Sequence, residues 1–130
     1  MTETKTLHIA VAVVLDEAGR MLLVRKRGTE AFMQPGGKIE PGEDARASLA
    51  RELREELGVD AMRMDYVERM TAPAANEPGF RVEADVFLVE LSGAPEIGAE
   101  IGASCWHSKE ASGRVVAPLS EELLRRFAAR

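Results

Sequence analysis

An α+β fold in one domain, residues 1–130, is what the sequence predicts, on three observations. Apolar, β-branched runs separated by turn signals dominate the chain. One segment near the middle repeats its apolar residues every four positions, and a second one-sided segment closes the chain. No internal repeat, linker or low-complexity block divides it.

Taken in order, Leu7–Leu15 and Met21–Arg25 read as strands joined by the turn Asp16-Glu17-Ala18-Gly19. Phe32-Met33-Gln34-Pro35-Gly36-Gly37 reads as turn-forming and leads past Pro41-Gly42 to Glu43-Asp44, two acids expected in a first helical turn. Ala45, Leu49, Leu53 and Leu57 then mark one helix face, and Gly58 is placed to end the helix. Further strands are expected at Met64–Met70 and Phe80–Leu91, with the irregular loop TAPAANEPG between them. The small-residue stretch Ser92–Ala103 precedes a short strand at Ser104–His107. After Pro118, the segment SEELLRRFAAR offers Ser120 as a candidate N-cap and aligns Leu123, Leu124 and Phe127 on one face.

Composition narrows the function classes. A chain of 130 residues that is 45% hydrophobic can bury a core without metal or disulfide staples. Cys105 is the only cysteine, so no internal disulfide forms, and a reducing, cytoplasmic setting is expected, with Cys105 read as a small half-buried hydrophobe. The apolar run Ile9–Leu15 is too short to span a membrane, and the opening MTETKT has no signal-peptide pattern. A net charge of −5, without a basic stripe or aromatic ladder, argues against a nucleic-acid polymer or a membrane as partner. It leaves a small phosphate ligand open, because a local cation outweighs net charge.

Within GGKIEPGEDARASLARELREELGV, the helix places Glu52, Glu55 and Glu56 together on a face distinct from the leucine stripe. Like charges three and four apart repel by roughly 0.2–0.5 kcal/mol per pair. Salt bridges such as Arg51 to Glu55 on a solvated face would offset that repulsion. A hard cation would do so too, since Mg²⁺ or Mn²⁺ prefers carboxylate, carbonyl and water oxygens.

The residues around the helix decide the reading. Gly37, Glu43, Arg51, Glu52, Leu53, Glu55, Glu56, Gly58 and Val59 stand in the register G-x5-E-x7-R-E-U-x-E-E-x-G-U, with U aliphatic. The segment 37–59 thus resembles the signature of the Nudix hydrolase family, and a chance match at a given start has a probability on the order of 10⁻⁸. The order of strands and helices on either side is also similar to the family's, and the short MutT-like branch looks closest.

That resemblance implies an α/β/α sandwich with a mixed central sheet. It also implies hydrolysis of a phosphoanhydride in a nucleoside diphosphate linked to another moiety, with Mg²⁺ or Mn²⁺ as cofactor. Carried over by position, Glu52, Glu55 and Glu56 are metal ligands, with the Gly37 carbonyl beside them and Glu43 at the edge of the cluster. Arg51 orients the carboxylates. Glu52 is the first choice of general base, and Glu100, six residues before Trp106, is the second and a further candidate ligand. Arg27 and Lys38 are the candidate phosphate-binding cations, whereas Arg25 and Lys26 read as a solvated strand end.

Other residues are read as structural. His8 and His107 have no metal-ligand spacing, and Phe32 and Trp106 are expected in the core. Met33, Met62, Met64 and Met70 are read as gap-fillers of the core, with pocket lining as the alternative for Met33, just before the signature. Guanine-specific relatives of the MutT type carry an asparagine before the terminal helix. Here Val115-Val116-Ala117-Pro118-Leu119 holds none, and Asn76 lies in an unrelated loop. The expected substrate is therefore a nucleoside triphosphate converted to monophosphate and pyrophosphate, by a monomer or a homodimer. The alternatives are a Nudix hydrolase of sugar-nucleotides or other nucleoside diphosphate derivatives, and a nucleotide-binding sensor without catalysis.

Overall fold

The computed structural model describes residues 5–109 and 113–129. Met1–Thr4 and Arg130, which the sequence reading included, lie outside them. Eight elements follow one another among the described residues: β1 Lys5–Val13, β2 Met21–Lys26, β3 Gly36–Lys38, α1 Ala45–Leu57, β4 Ala61–Pro73, β5 Phe80–Leu91, β6 Ile101–His107 and α2 Pro118–Phe127. The strands form a mixed sheet in the order β3-β1-β5-β4 and a smaller antiparallel pair, β2-β6. β1 runs parallel to β5, while β3 and β4 lie antiparallel to their neighbours.

Alternation along β1 sends its side chains to two cores. Ala10 and Ala12 meet Leu49, Leu53 and Leu57 of α1 together with Phe87 and Val89. Val11 and Val13 meet Leu119, Leu123 and Leu124 of α2 with Ala84 and Val86. A helix on each side of the strands is the α/β/α layering that the resemblance implied. Phe32 and Trp106 are partly buried against these cores, and the buried His107 pairs through Nδ1 with the Ser108 carbonyl at 2.6 Å, so both readings of these residues as structural fit. No helix among the described residues is long and apolar enough to cross a membrane.

Four local expectations are corrected. Gly36–Lys38 is a strand and not only a turn, because Val11, Ala10 and Ile9 of β1 pair with it. Asp44 caps α1 from outside rather than standing in its first turn: its Oδ1 accepts the Ala47 N–H at 2.7 Å. Ser120 is not an N-cap, since Pro118 opens α2 with its fixed φ and missing N–H, and Ser120 lies buried inside the helix. β4 and β6 extend well beyond Met64–Met70 and Ser104–His107, carried by long pairings with β5 and β2.

Candidate active site

α1 carries the acids, and its ends fix their height. Asp44 holds the first turn, and Gly58, in the left-handed region at φ 64°, donates its N–H to the Arg54 carbonyl at 3.0 Å. Two more terminal carbonyls are met by the loop after β5: Glu96 N–H donates to Leu57 O and Gly98 N–H to Glu56 O, both at 2.8 Å. This loop leads into Glu100 and so brings it to the acidic end of α1.

Arg51 ties three signature glutamates together. Its Nε and Nη2 donate to Glu43 at 2.8 and 3.0 Å, and its Nη1 donates to Glu52 at 3.1 Å and to Glu55 at 3.3 Å. The fork on Glu43 pushes that carboxyl down to about 2, with the Glu40 N–H helping. The same pairing raises the affinity of Arg51 for its proton. Glu43 thus acts on Arg51, and the orienting role expected of Arg51 has a geometry to match.

Glu56 departs from the expectation that all three helix acids point outward together. It is 3% exposed, tucked under β3, and its Oε1 accepts the Gly36 N–H at 3.0 Å. Burial pushes its carboxyl up to about 7; the Gly36 bond and the Lys26 charge oppose the shift, whereas Glu52 and Glu100 add to it. Burial raises Glu52 as well, against the pull of Arg51. Glu55 lies on the exposed side of the helix.

The donor set suits a hard divalent cation. Glu56 is buried and Glu52 half-buried, and each is made costlier to ionise by its acidic neighbours. Gly37 packs so tightly on Glu52 that a Cβ there would stand 2.6 Å from Oε1, which leaves bare backbone facing the carboxylate. Among the described residues no three acidic, histidine or cysteine side chains already stand together as a ligand cluster. Glu52 and Glu55 are bonded to Arg51, and Glu56 to the Gly36 N–H.

A cavity of about 260 Å³ adjoins these acids, and Lys26, Met33, Gln34, Gly36, Gly37 and Lys38 are among the residues lining it. Lys38, the candidate phosphate-binding cation, and Met33 both lie on its wall. Arg27 is engaged elsewhere: its Nε donates to the Ala99 carbonyl at 3.0 Å and its N–H to Glu100 O at 2.8 Å. Lys26, read from the sequence as a solvated strand end, is exposed and also lines the cavity, where its charge acts on Glu52 and Glu56. A register shift between Arg25 and Lys26 breaks the strand alternation there, and no sequence signal marks it. Gln34, Ser120 and Asn76, the last set aside by the sequence reading, also line the cavity, and no motif marks them.

The model of the NUDIX domain matches residues 5–127. The chain is 32% identical over 71 residues to an 8-oxo-dGTP diphosphatase of Haemophilus influenzae, covering 52% of each chain. It is 41% identical over 61 residues to the CTP pyrophosphohydrolase of Escherichia coli, covering 44% of this chain and 45% of that one. The matches thus span about half the length of these curated relatives. In fold, it superposes on a MutT NUDIX hydrolase from Burkholderia pseudomallei with a TM-score of 0.79 at 21% identity, covering 93% of this chain and 97% of the other. With the signature in register, the layered mixed sheet and a family match over nearly all of its length, this chain belongs to the Nudix family.

Proposed function

We propose that this protein is a Mg²⁺-dependent pyrophosphohydrolase that converts a nucleoside triphosphate to its monophosphate and pyrophosphate, with Mn²⁺ as an alternative cation. The observation that carries the reading is the juxtaposition of the buried Glu56 and the Arg51-bound Glu52 with a cavity lined by Lys26 and Lys38. Relatives named as 8-oxo-dGTP diphosphatase and CTP pyrophosphohydrolase support it, since both act on nucleotides.

Glu52, Glu55 and Glu56, with the Gly37 carbonyl and Glu100 beside them, are the residues that would hold the cation. When bound, Mg²⁺ neutralises phosphate oxygens and makes a coordinated water easier to deprotonate. Lys26 and Lys38 attract the polyphosphate and hold it against the acids. Water then adds to one of the two phosphorus atoms flanking the α,β-bridging oxygen, and the P–O bond from that phosphorus to the bridge breaks, giving monophosphate and pyrophosphate. Glu52 takes the water's proton: burial raises its proton affinity, and Arg51 fixes its orientation. Glu43 has no direct part in this step; it keeps the Arg51 fork in place.

The test is release of phosphate and pyrophosphate, with Mg²⁺ or Mn²⁺ and with chelator, from nucleoside triphosphates, oxidised nucleotides, sugar nucleotides and dinucleoside polyphosphates. Metal-dependent pyrophosphate from triphosphates is expected. Release only from sugar nucleotides would replace the substrate, and binding without release from any of them would replace the activity.

A further inference from the structure

The two sides of β3 are held by different means. The strand is three residues long and ends the sheet order β3-β1-β5-β4, so only one side of it pairs with a strand, β1. Its other side presents backbone groups that need partners, as a sheet edge does. Side chains of α1 supply them. Ser48, Glu52 and Glu56 follow one another at four-residue steps along the helix and meet Lys38, Gly37 and Gly36 in turn. The Ser48 hydroxyl donates to the Lys38 carbonyl at 3.2 Å, Glu52 abuts Gly37, and Glu56 accepts the Gly36 N–H at 3.0 Å.

Ser48 is the uncharged member of that series and is fully buried. A serine inside a helix can turn its hydroxyl back to the carbonyl four residues earlier. Here that carbonyl, of Asp44, accepts Ser48's own N–H at 3.0 Å, and the hydroxyl crosses to β3 instead. Arg51 Nη2 also reaches the Lys38 carbonyl, at a longer 3.4 Å, but lies 3.0 Å from Glu43 and is engaged there. Arg51 foremost, and the Ser48 hydroxyl in smaller part, hold the Glu43 carboxyl low, so the serine adjoins the Arg51 fork as well as β3.

The peptide unit that Ser48 holds joins Lys38 to Ile39. Its carbonyl accepts from Ser48, and its N–H, that of Ile39, donates to the His8 carbonyl at 3.1 Å. Two bonds on one planar unit, one to the helix and one to β1, fix its orientation. Lys38 lines the cavity on a flexible stem, so the part of it that stays fixed is its backbone.

Resting on the triphosphate reading above, we propose that Ser48 is a positioning residue for substrate binding: it clamps the Lys38–Ile39 peptide to α1 and so holds Lys38 where the polyphosphate meets the acids. Without the hydroxyl the peptide keeps its bond to β1 and loses its tie to the helix that carries Glu52 and Glu56.

The experiment compares the wild type with Ser48→Ala, Lys38→Met and the double variant, and Ser48→Thr with Ser48→Val, which share a shape and differ in the hydroxyl. It reads kcat and KM with Mg²⁺, CTP binding in chelator, and amide exchange in chelator without nucleotide. Ser48→Ala is expected to melt within a few degrees of the wild type, since alanine favours the helix, and to raise KM roughly three- to tenfold with kcat nearly unchanged. In the Lys38→Met background it should add nothing, and Ser48→Thr should lie closer to the wild type than Ser48→Val. The Ile39 amide should exchange faster in Ser48→Ala while that of Val86 in β5 does not; a merely structural serine would speed both alike. An unchanged KM, effects of Ser48→Ala and Lys38→Met that multiply, or uniform exchange would overturn the proposal while leaving the hydrolase reading intact. Should no triphosphate be hydrolysed, CTP binding decides. Weaker binding in Ser48→Ala, with no further loss in the double variant relative to Lys38→Met, sustains the clamp without the hydrolase, and equal binding rejects it. If Ser48→Thr and Ser48→Val do not fold, Ser48→Ala and Lys38→Met carry the comparison.

Discussion

Glu56 lies beneath β3 with its carboxylate on the Gly36 N–H at 3.0 Å, a helix residue and a strand residue joined across the signature. Because burial pushes its carboxyl from 4.5 up to about 7, the folded chain holds this proton more tightly than the unfolded chain does. The stabilisation is therefore full below about pH 4.5 and is lost as pH rises through about 7, a contribution on the order of 3 kcal/mol. Urea unfolding in chelator should show that decline in the wild type and lose it in Glu56→Gln, which mimics the protonated form; equal slopes would contradict the assignment. Added Mg²⁺ should stabilise the wild type more at pH 8 than at pH 5.5, since cation and proton compete for the carboxylate.

Arg51 holds Glu43 by a two-pronged contact and reaches Glu52 and Glu55 with its remaining nitrogen. A lysine carries the charge without the fork. Arg51→Lys should lower kcat or metal affinity roughly 10- to 100-fold with the helical circular dichroism unchanged. Wild-type kinetics in that variant would remove the orienting role.

Lys26 and Arg27 separate binding from scaffolding. Lys26→Met should weaken kcat/KM for the triphosphate roughly tenfold or more and flatten its salt dependence, because this cation lines the cavity. Arg27→Met removes the bond to the Ala99 carbonyl and should act on stability more than on kcat/KM. The reverse ranking in steady-state assays would restore Arg27 as the phosphate contact.

Gly98 sets the loop against α1. A Cβ there would stand 2.4 Å from the Glu55 carbonyl oxygen, whereas one at Gly93 would meet nothing within 4 Å. Gly98→Ala should destabilise by about 1–3 kcal/mol in urea unfolding and lower activity by displacing Glu100. Gly93→Ala should change neither. Equal effects would show that the loop's packing does not support the site.

The helix and its acids were legible because their signals are local: a four-residue apolar period and a Gly after it, with only Asp44 misplaced by one turn position. β3 was not, because Gly36–Lys38 has the composition of a turn and becomes a strand only by pairing with β1. The burial of Glu56 follows from that pairing, which no spacing within α1 reveals. The place of Lys26 was hidden by a register shift in β2, and the buried place of Ser120 inside α2 by a proline-led helix start that needs no side-chain cap. Each gap lies where a tertiary contact overrides a local pattern.

The central claim is that the buried Glu56 belongs to a metal-dependent hydrolytic site. Its most direct test is Mg²⁺-dependent pyrophosphate release from a nucleoside triphosphate panel by the wild type and by Glu56→Gln, with folding of both verified by circular dichroism. Release by the wild type that chelator abolishes is expected, with loss of nearly all turnover in Glu56→Gln. Undiminished release by a folded, metal-supplied Glu56→Gln protein would contradict it.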